Sequence, residues 1–216
     1  MDRQTLSNKI WQCCNIMWRR DKLVPLQYIE QLSWLLFLKL FDDLEQQQKL
    51  LNPEYQPIFD AKYQWHNWAG KKTGEELKEF IERDLIPYMA KLSGTPQKAK
   101  IASIFQEVKN HMRSGYNLAE VVEILDEMDF SNPEDSHILS ITYEDLLMTT
   151  AGQKGGGAGE FYTPRPVIRF IINIIRPEIG DKIFDPFCGS AGFLVESYKY
   201  LQTKEKTLND HKTLQE

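Results

Sequence analysis

Cysteine is scarce in this chain of 216 residues: there are three, and two of them are adjacent. The neighbouring Cys13 and Cys14 are poorly placed to form a structural disulfide with each other, and an odd number of thiols always leaves one unpaired. The sequence therefore does not favour a secreted domain that is stabilised by disulfide bonds. It predicts reduced thiols and a cytoplasmic location.

Metal-ligand spacing is also missing from the chain. The four histidines are scattered, and none has a cysteine or a second histidine at the spacing of a zinc site. The carboxylates of residues 126–135 do not follow the order of a calcium-binding loop, so they predict a solvated helix end and turn. We expect no bound metal ion.

Long hydrophobic runs are absent as well. The longest apolar run, residues 34–38, is far shorter than the roughly 20 residues that span a bilayer as a helix. The first four residues do not open an apolar signal segment. With 42% hydrophobic and 12% aromatic residues, the chain can still bury a core. The sequence predicts a folded protein with no membrane partner.

The chain lacks an excess of positive charge, and its formal net charge is −5. A protein that binds duplex nucleic acid by itself normally uses lysine and arginine to neutralise phosphates. The charge balance therefore predicts weak nucleic-acid binding by the isolated chain.

Apolar residues at three- and four-residue spacing predict that the first two-thirds of the chain is helical. The predicted helices cover residues 5–20, 28–48, 75–89, 96–112, 118–128 and 135–148. The buried face of the first helix is predicted at Leu6, Ile10, Cys13 or Cys14, and Met17. The second helix carries a stripe at Leu32, Leu35, Leu36, Leu40 and Leu44. This stripe indicates core packing, with a subunit contact as the alternative.

Aromatic residues are concentrated between residues 52 and 74, among prolines and polar residues. Their irregular spacing predicts a packed loop region with one short hairpin. We expect the rings to fill a small core of their own. Stacking on nucleic-acid bases, with Lys62, Lys71 and Lys72 nearby, is the alternative.

Glycines mark the clearest linker, at residues 152–159. A nucleotide phosphate loop is excluded because Lys154 precedes the glycines and no Gly-Lys-Ser or Gly-Lys-Thr follows. The predicted organisation is a helical N-terminal domain at 1–151, the linker at 152–159, and a second domain that begins at 160 and runs to 216.

The second domain shows the order helix, strand, small-residue loop, helix. Residues 167–175 predict a short helix, residues 182–184 a buried strand, and residues 193–201 a second helix. The loop between the strand and the second helix is rich in glycine, so its backbone can approach a ligand closely. This order is typical of the start of a Rossmann-like sheet, where a helix N-terminus faces a carboxylate or phosphate.

Two motifs in this domain point to a family. The first is Gly-Glu-Phe-Tyr-Thr-Pro-Arg-Pro at residues 159–166, and the second is Asp-Pro-Phe-Cys-Gly-Ser-Ala-Gly-Phe at residues 185–193. Together they resemble the S-adenosylmethionine motifs of adenine-specific DNA methyltransferases. Their order behind a helical N-terminal region resembles, more closely, the modification subunit of type I restriction-modification systems. The resemblance implies an α-helical N-terminal domain followed by the beginning of a Rossmann-like α/β methyltransferase domain.

The resemblance also implies a cofactor site. It assigns S-adenosylmethionine contacts to Glu160, Phe161, Tyr162, Thr163, Pro164, Arg165, Asp185, Pro186, Cys188, Gly189, Ser190, Ala191 and Gly192. Backbone N–H groups near residues 190–192 suit the carboxylate of the cofactor, and Asp185 suits its ammonium group. A loop cap is the alternative role of Asp185. Cys188 lies inside the glycine loop, where we expect it to pack rather than act as a nucleophile.

In this family an Asn-Pro-Pro-Phe or Asn-Pro-Pro-Tyr tetrapeptide holds the flipped adenine, and the present sequence contains neither. We therefore expect a truncated chain that has no catalytic residue, binds the cofactor weakly or not at all, and is inactive alone. The implied partners are the specificity and restriction subunits, a second methylase subunit and, through the complex, duplex DNA. A noncatalytic module that binds the specificity subunit is the alternative, and a small-molecule methyltransferase is a weaker one.

Overall fold

The computed structural model describes residues 3–130, 163–188 and 191–215 of the chain. The chain divides into two compact units, Met1–Thr150 and Ala151–Glu216. Every regular element among the described residues is helical. The helix predicted at 135–148 and the linker predicted at 152–159 lie outside these residues, so the domain boundaries stay predictions.

The first unit is a bundle of helices. Its described elements, in chain order, are α1 (Arg3–Asn15) with a π-helical extension (Ile16–Arg20), α2 (Pro25–Leu51), a 3-10 turn (Ala61–Tyr63), α3 (Trp65–Trp68), α4 (Gly74–Glu79) with a π-helical extension (Phe80–Leu85), α5 (Ile86–Met89), α6 (Pro96–Phe105) and α7 (Gly115–Asp126). No helix in the described part of the chain is long and apolar enough to cross a membrane.

The predicted buried face of α1 is confirmed. Its members are all nearly inaccessible to solvent: Leu6, Ile10, Cys13, Cys14 and Met17. Burial raises the pKa of both cysteine thiols, that of Cys14 to about 12. These two free thiols therefore behave as small apolar side chains of the core.

The leucine stripe of α2 is confirmed at its start and wrong at its end. Leu32 and Leu35 are fully buried, but Leu44 is 49% exposed, whereas Glu45 is buried. Glu45 Oε1 accepts hydrogen bonds from the backbone N–H of Ile58 at 2.6 Å and the hydroxyl of Tyr55 at 3.1 Å. The segment after α2 folds back onto the polar side of the helix, and periodicity within one helix could not show which later segment would cover it.

Glu45 gives a stability prediction. Burial raises its pKa, although its two hydrogen bonds act in the opposite direction. A carboxyl group whose pKa is raised on folding adds stability below its unfolded pKa, and this stability is lost as the pH rises through the folded value. Glu45→Gln keeps an acceptor oxygen and carries no charge, so we expect it to raise stability slightly at neutral pH, where the buried carboxylate is ionised, and to reduce the pH dependence of stability. Glu45→Ala, which leaves the Ile58 N–H without its acceptor, should cost about 2 kcal/mol in urea unfolding.

The rings of the aromatic segment fill a core, as predicted, but it is the main core of the first unit rather than a small core of their own, and the predicted hairpin is absent from the segment. Residues 52–74 contain the 3-10 turn and α3 instead. Trp65 and Trp68 are buried with ring centroids 4.8 Å apart, and the indole N–H of Trp65 donates to Asp126 Oδ1 at 2.7 Å. These two rings are therefore not available for base stacking.

Helix α6 is shorter than the sequence predicts and ends at Phe105 rather than 112. Beyond it, backbone donors bind side chains of distant elements instead of continuing a helix. The N–H of His111 donates to Gln31 Oε1 at 2.8 Å, and the N–H groups of Arg113 and Ser114 donate to the carboxylate of Asp21. Tertiary hydrogen bonds thus replace the helical ones.

The second unit contains α8 (Arg165–Ile175), α9 (Gly192–Gln202) and α10 (Leu208–Gln215). The first two confirm the predicted helices, and they pack together. Helix α10 was not predicted, although the sequence contains a start signal: Thr207 Oγ1 accepts from the Asp210 N–H at 3.1 Å, and Asp210 Oδ2 accepts from the Thr207 N–H at 3.0 Å. This is a reciprocal capping box built from Thr-x-x-Asp.

The predicted buried strand at 182–184 is wrong for this structure. Ile183 and Phe184 lie in irregular backbone, and Phe184 is 84% exposed. A strand needs a neighbour to pair with its N–H and C=O groups, and the described residues of this unit supply none. The described residues of this unit therefore show three helices and no strand, and the Rossmann-like start stays a prediction.

Candidate cofactor-binding site

The ends of the two sequence motifs meet at the starts of two helices. Helix α8 begins at Arg165, directly after Thr163 and Pro164, and α9 begins at Gly192, the last small residue of the loop. The Nη1 atom of Arg165 donates a hydrogen bond to the Gly192 carbonyl at 3.0 Å. Two segments that are separated by about twenty residues in the sequence are thereby joined.

Gly192 is small for a packing reason. A Cβ atom at this position would lie 3.1 Å from Ile168 Cδ1 and 3.6 Å from Arg165 Nη1. The absence of a side chain lets the start of α9 approach α8 closely, a role that glycine also has in helix–strand packing of dinucleotide-binding folds. The sequence predicts that this glycine lets a ligand approach, whereas its contacts in the structure are with α8.

A buried acid lies one turn along α9, and it was missed by the sequence argument. Glu196 is 5% exposed at its side chain and accepts from Arg169 Nε at 2.6 Å, with Arg165 Nη1 and Lys199 Nζ at 3.8 and 3.7 Å. Burial alone would raise the pKa of Glu196, but the hydrogen bond and charge of Arg169, with the other two cations, hold it below its usual value. The sequence did contain a signal for this cluster. Glu196 is an acid among the apolar residues of the predicted helix at 193–201, and Arg165 and Arg169 lie four residues apart on the predicted helix before it.

The loop before α9 is held by local hydrogen bonds. Asp185 Oδ1 accepts from the Phe187 N–H at 3.1 Å, which is the loop-cap role weighed for this residue. The Ala191 N–H donates to the Cys188 carbonyl at 2.6 Å, and Ala191 adopts a left-handed conformation with φ of 60°. A non-glycine residue in this region carries backbone strain, which often marks a functional loop.

A cavity of about 310 Å³ lies beside this loop, within the second unit. Its walls are mostly apolar, and Asp185 is the one acidic residue that lines it. The lining residues are Ile171, Ile172, Ile175, Pro177, Ile183, Phe184, Asp185, Pro186, Phe193 and Ser197. Apolar walls with few polar groups are typical of small-molecule sites, whose volumes begin at roughly 300 Å³.

The donor set at the start of α9 fits an anionic group. Ala191, which precedes this helix, provides no side-chain cap, and the first N–H groups of an α-helix have no intrahelical acceptor. Such N–H groups and the positive end of the helix favour a carboxylate. The half-buried Asp185 offers a complementary charge to an ammonium group. The described residues are therefore compatible with the amino-acid end of S-adenosylmethionine.

The predicted site residues are only partly within the described structure. Thr163, Pro164, Pro186 and Cys188 are exposed, Arg165, Asp185 and Ala191 are half-buried, and Gly192 is buried. Five further residues of the predicted set lie outside the described residues: Glu160, Phe161, Tyr162, Gly189 and Ser190. Their assignment stays a prediction.

Comparison with known families places the chain. The family described as "HsdM N-terminal domain" matches residues 6–125, and "N-6 DNA Methylase" matches residues 134–215. The chain belongs to the family of type I restriction-modification methylase subunits. The EcoEI methylase subunit of Escherichia coli is 39% identical over 198 residues, which cover 88% of this chain and 40% of that relative. The StySPI methylase subunit of Salmonella potsdam is 30% identical over 214 residues, covering 97% and 37%.

Solved structures agree with this placement. A chain from Vibrio vulnificus YJ016, assigned as a modification subunit of a type I restriction enzyme, matches 100% of this methylase-family chain and 49% of its own length, with a TM-score of 0.89 and 36% identity. A chain from a structure on the assembly and conformational transition of a type I restriction-modification system matches 100% and 44%, with a TM-score of 0.78 and 42% identity. The present chain spans about two fifths of the curated relatives named above.

Proposed function

We propose that this chain functions in the modification subunit of a type I restriction-modification system, which transfers a methyl group from S-adenosylmethionine to the exocyclic amino group of adenine in DNA. Family membership supports the proposal. The observation that carries it is the packing of α8 against α9, where Arg165 bonds to the Gly192 carbonyl and joins the two cofactor motifs.

In this proposal the beginning of a Rossmann-like domain, from residue 160 onward, holds the cofactor. Of the thirteen motif residues named from the sequence, all except Arg165 form its border, with the first-turn N–H groups of α9 at the carboxylate and Asp185 at the ammonium group. Phe161 or Tyr162 lines the same pocket. The bound cofactor would supply an activated methyl group on its sulfonium sulfur.

The helical domain at 1–151, joined by the linker at 152–159, serves assembly in this proposal. The partners are a specificity subunit, a restriction subunit and a second methylase subunit, in the cytoplasm. A net charge of −5 supports DNA contact through the complex rather than through this chain alone. The sequence holds no Asn-Pro-Pro-Phe or Asn-Pro-Pro-Tyr to receive a flipped adenine. We therefore expect residues 1–216 alone to transfer no methyl group and to bind the cofactor weakly at most.

A chimaera tests the proposed function. Residues 1–216 would be joined to the part of the EcoEI methylase subunit that follows the matched region, and assayed with the EcoEI specificity subunit, DNA and radiolabelled S-adenosylmethionine. We expect labelled DNA from the chimaera and only background from residues 1–216. Asp185→Ala in the chimaera should weaken cofactor binding about tenfold or more, because a charged partner of the ammonium group is lost.

Asp181→Ala is the matched control for this experiment. Asp181 Oδ2 accepts the Glu178 N–H at 2.8 Å, so it has the same kind of local turn role as Asp185 but is not a motif residue. We expect its cofactor affinity to be unchanged. Equal effects of the two variants would support a loop-cap role of Asp185 and contradict its cofactor role, and a folded chimaera without any transfer would contradict the proposed function.

A further inference from the structure

We propose that Arg165 is a positioning residue of the cofactor site: it fixes the start of α9 by holding the Gly192 carbonyl, and it does not itself contact the cofactor. This inference rests on the proposed function for the identity of the ligand. The contact itself does not depend on that function, because it is present between two described helices.

The geometry of α8 and α9 shows two matched contacts. Arg165 and Arg169 are four residues apart on α8, and Gly192 and Glu196 are four residues apart on α9, so each pair lies on one helix face. Arg165 Nη1 binds the Gly192 carbonyl at 3.0 Å, and Arg169 Nε binds Glu196 Oε2 at 2.6 Å. The two helices therefore start side by side, and a shift by one turn would break both contacts.

The charge of Arg165 is compensated within the same cluster. A cation beside a helix N-terminus is unfavourable because that end of the helix is itself positive. Glu196 Oε1 lies 3.8 Å from Arg165 Nη1 and is buried, so it offsets this repulsion. The side chain of Arg165 is only 16% exposed and faces Gly192 rather than open solvent. Its guanidinium therefore binds groups of the protein itself, the Gly192 carbonyl and Glu196.

Arg165 fixes the first turn of α9, and the N–H groups of this turn are the proposed donors to the ligand. Gly192 is the first residue of α9, and the Ala191 carbonyl accepts the first helical hydrogen bond, from Val195 at 2.9 Å. The N–H groups that would meet the cofactor carboxylate belong to this same turn. Preorganised donors bind a ligand better because they lose less freedom on binding. Holding the Gly192 carbonyl therefore aligns the donors of the site.

Hydrogen exchange of the 216-residue chain, without any cofactor, tests the positioning role. In Arg165→Ala we expect the backbone N–H groups of residues 195–198, the first that are hydrogen-bonded within α9, to exchange about tenfold faster, while those of 171–175 in α8 keep their protection. Lys199→Ala is the matched control, because Lys199 Nζ lies 3.7 Å from the same Glu196 oxygen, whereas the hydrogen bond to the Gly192 carbonyl comes from Arg165. It should leave exchange at 195–198 unchanged. Arg165→Lys, which keeps a cationic donor, should restore part of the protection.

The outcomes separate this inference from the proposed function. Equal exchange in Arg165→Ala and Lys199→Ala, or no change in Arg165→Ala, overturns the positioning role. Loss of protection throughout α8 as well would assign Arg165 a general structural role and also overturn it. A second exchange series with saturating S-adenosylmethionine tests the ligand: if the unmodified chain gains no protection at 192–196, cofactor binding by this chain is contradicted, and the cofactor-free result still decides the role of Arg165. A third outcome would also overturn the proposal. If Arg165→Ala weakened the protection given by the cofactor but did not speed up exchange in its absence, Arg165 would contact the cofactor directly.

Discussion

Gly115→Ala should destabilise the first unit by about 3 kcal/mol or more, the largest effect we expect from a single methyl group in this chain. Helices α7 and α4 start at Gly115 and Gly74, and these two starts meet backbone to backbone. A Cβ atom on Gly115 would lie 2.0 Å from the Gly74 carbonyl oxygen and 2.3 Å from its carbonyl carbon. Backbone atoms cannot move aside as a flexible side chain can, so the helix starts must separate.

The substitution is informative because it would otherwise be favourable. Alanine is a better helix former than glycine by up to about 1 kcal/mol, and Gly115 does not have a positive φ. Any loss of stability is therefore due to the close approach of the two helices. Urea unfolding followed by tryptophan fluorescence measures it cleanly, because all five tryptophans lie within residues 1–150.

Gly94→Ala is the control for Gly115→Ala. Gly94 has φ of 104°, and a Cβ atom there would have no neighbour within 4 Å. Its replacement should cost only the conformational penalty of an unfavourable φ, about 1 kcal/mol. A Gly115→Ala loss no greater than that of Gly94→Ala would show that the two helix starts adapt, and the packing argument would then be wrong.

Asp21→Ala should be the second most damaging change, at about 3 kcal/mol. Asp21 is buried, and its carboxylate accepts hydrogen bonds from the N–H groups of Arg113 and Ser114 and from Asn117 Nδ2 at 2.8 Å. These donors surround the start of α7, where a negative charge is also favoured by the helix dipole. Alanine would leave several donors in a partly buried site without an acceptor.

Two variants bracket the Asp21 result in the same unfolding experiment. Asp21→Asn keeps one acceptor oxygen and loses the charge, so we expect about half of the alanine effect. Asp84→Ala removes an exposed aspartate that pairs with Lys62 at 3.0 Å, and such surface pairs contribute less than about 1 kcal/mol. If Asp21→Ala were no worse than Asp84→Ala, the carboxylate would not be organising the start of α7.

Local sequence signals predicted the helices where the signals lie within the helix itself. The apolar spacing of α1, α2 and α6 predicted elements that the structure contains. The Thr-x-x-Asp box before α10 is a signal of the same kind that was overlooked. The predictions were wrong about where an element ends, or whether it is a strand, where the partners of that element lie far away in the chain. The end of α6 is an example, because the Arg113 N–H beyond it donates to Asp21.

In the candidate site, too, local patterns were predictable from the sequence and contacts between distant residues were not. Motif residues such as Asp185 and Gly192 could be selected from the sequence, because the family resemblance depends on residue types in order. Glu196 and the role of Arg165 could not, because nothing in a linear pattern states which carbonyl or carboxylate a guanidinium will reach across two helices.

By itself, the sequence determined the helical character of the first unit, the two helices that flank the glycine loop, and membership of the methylase-subunit family. Those properties depend on residue spacing and residue type, which are local. Only the tertiary structure decided that Glu45 is buried while Leu44 is not, that Gly115 touches Gly74, and that Arg165 holds Gly192. Each of these depends on which distant backbone or side chain fills the neighbouring space, since burial and hydrogen bonding are satisfied by the whole fold rather than by one segment.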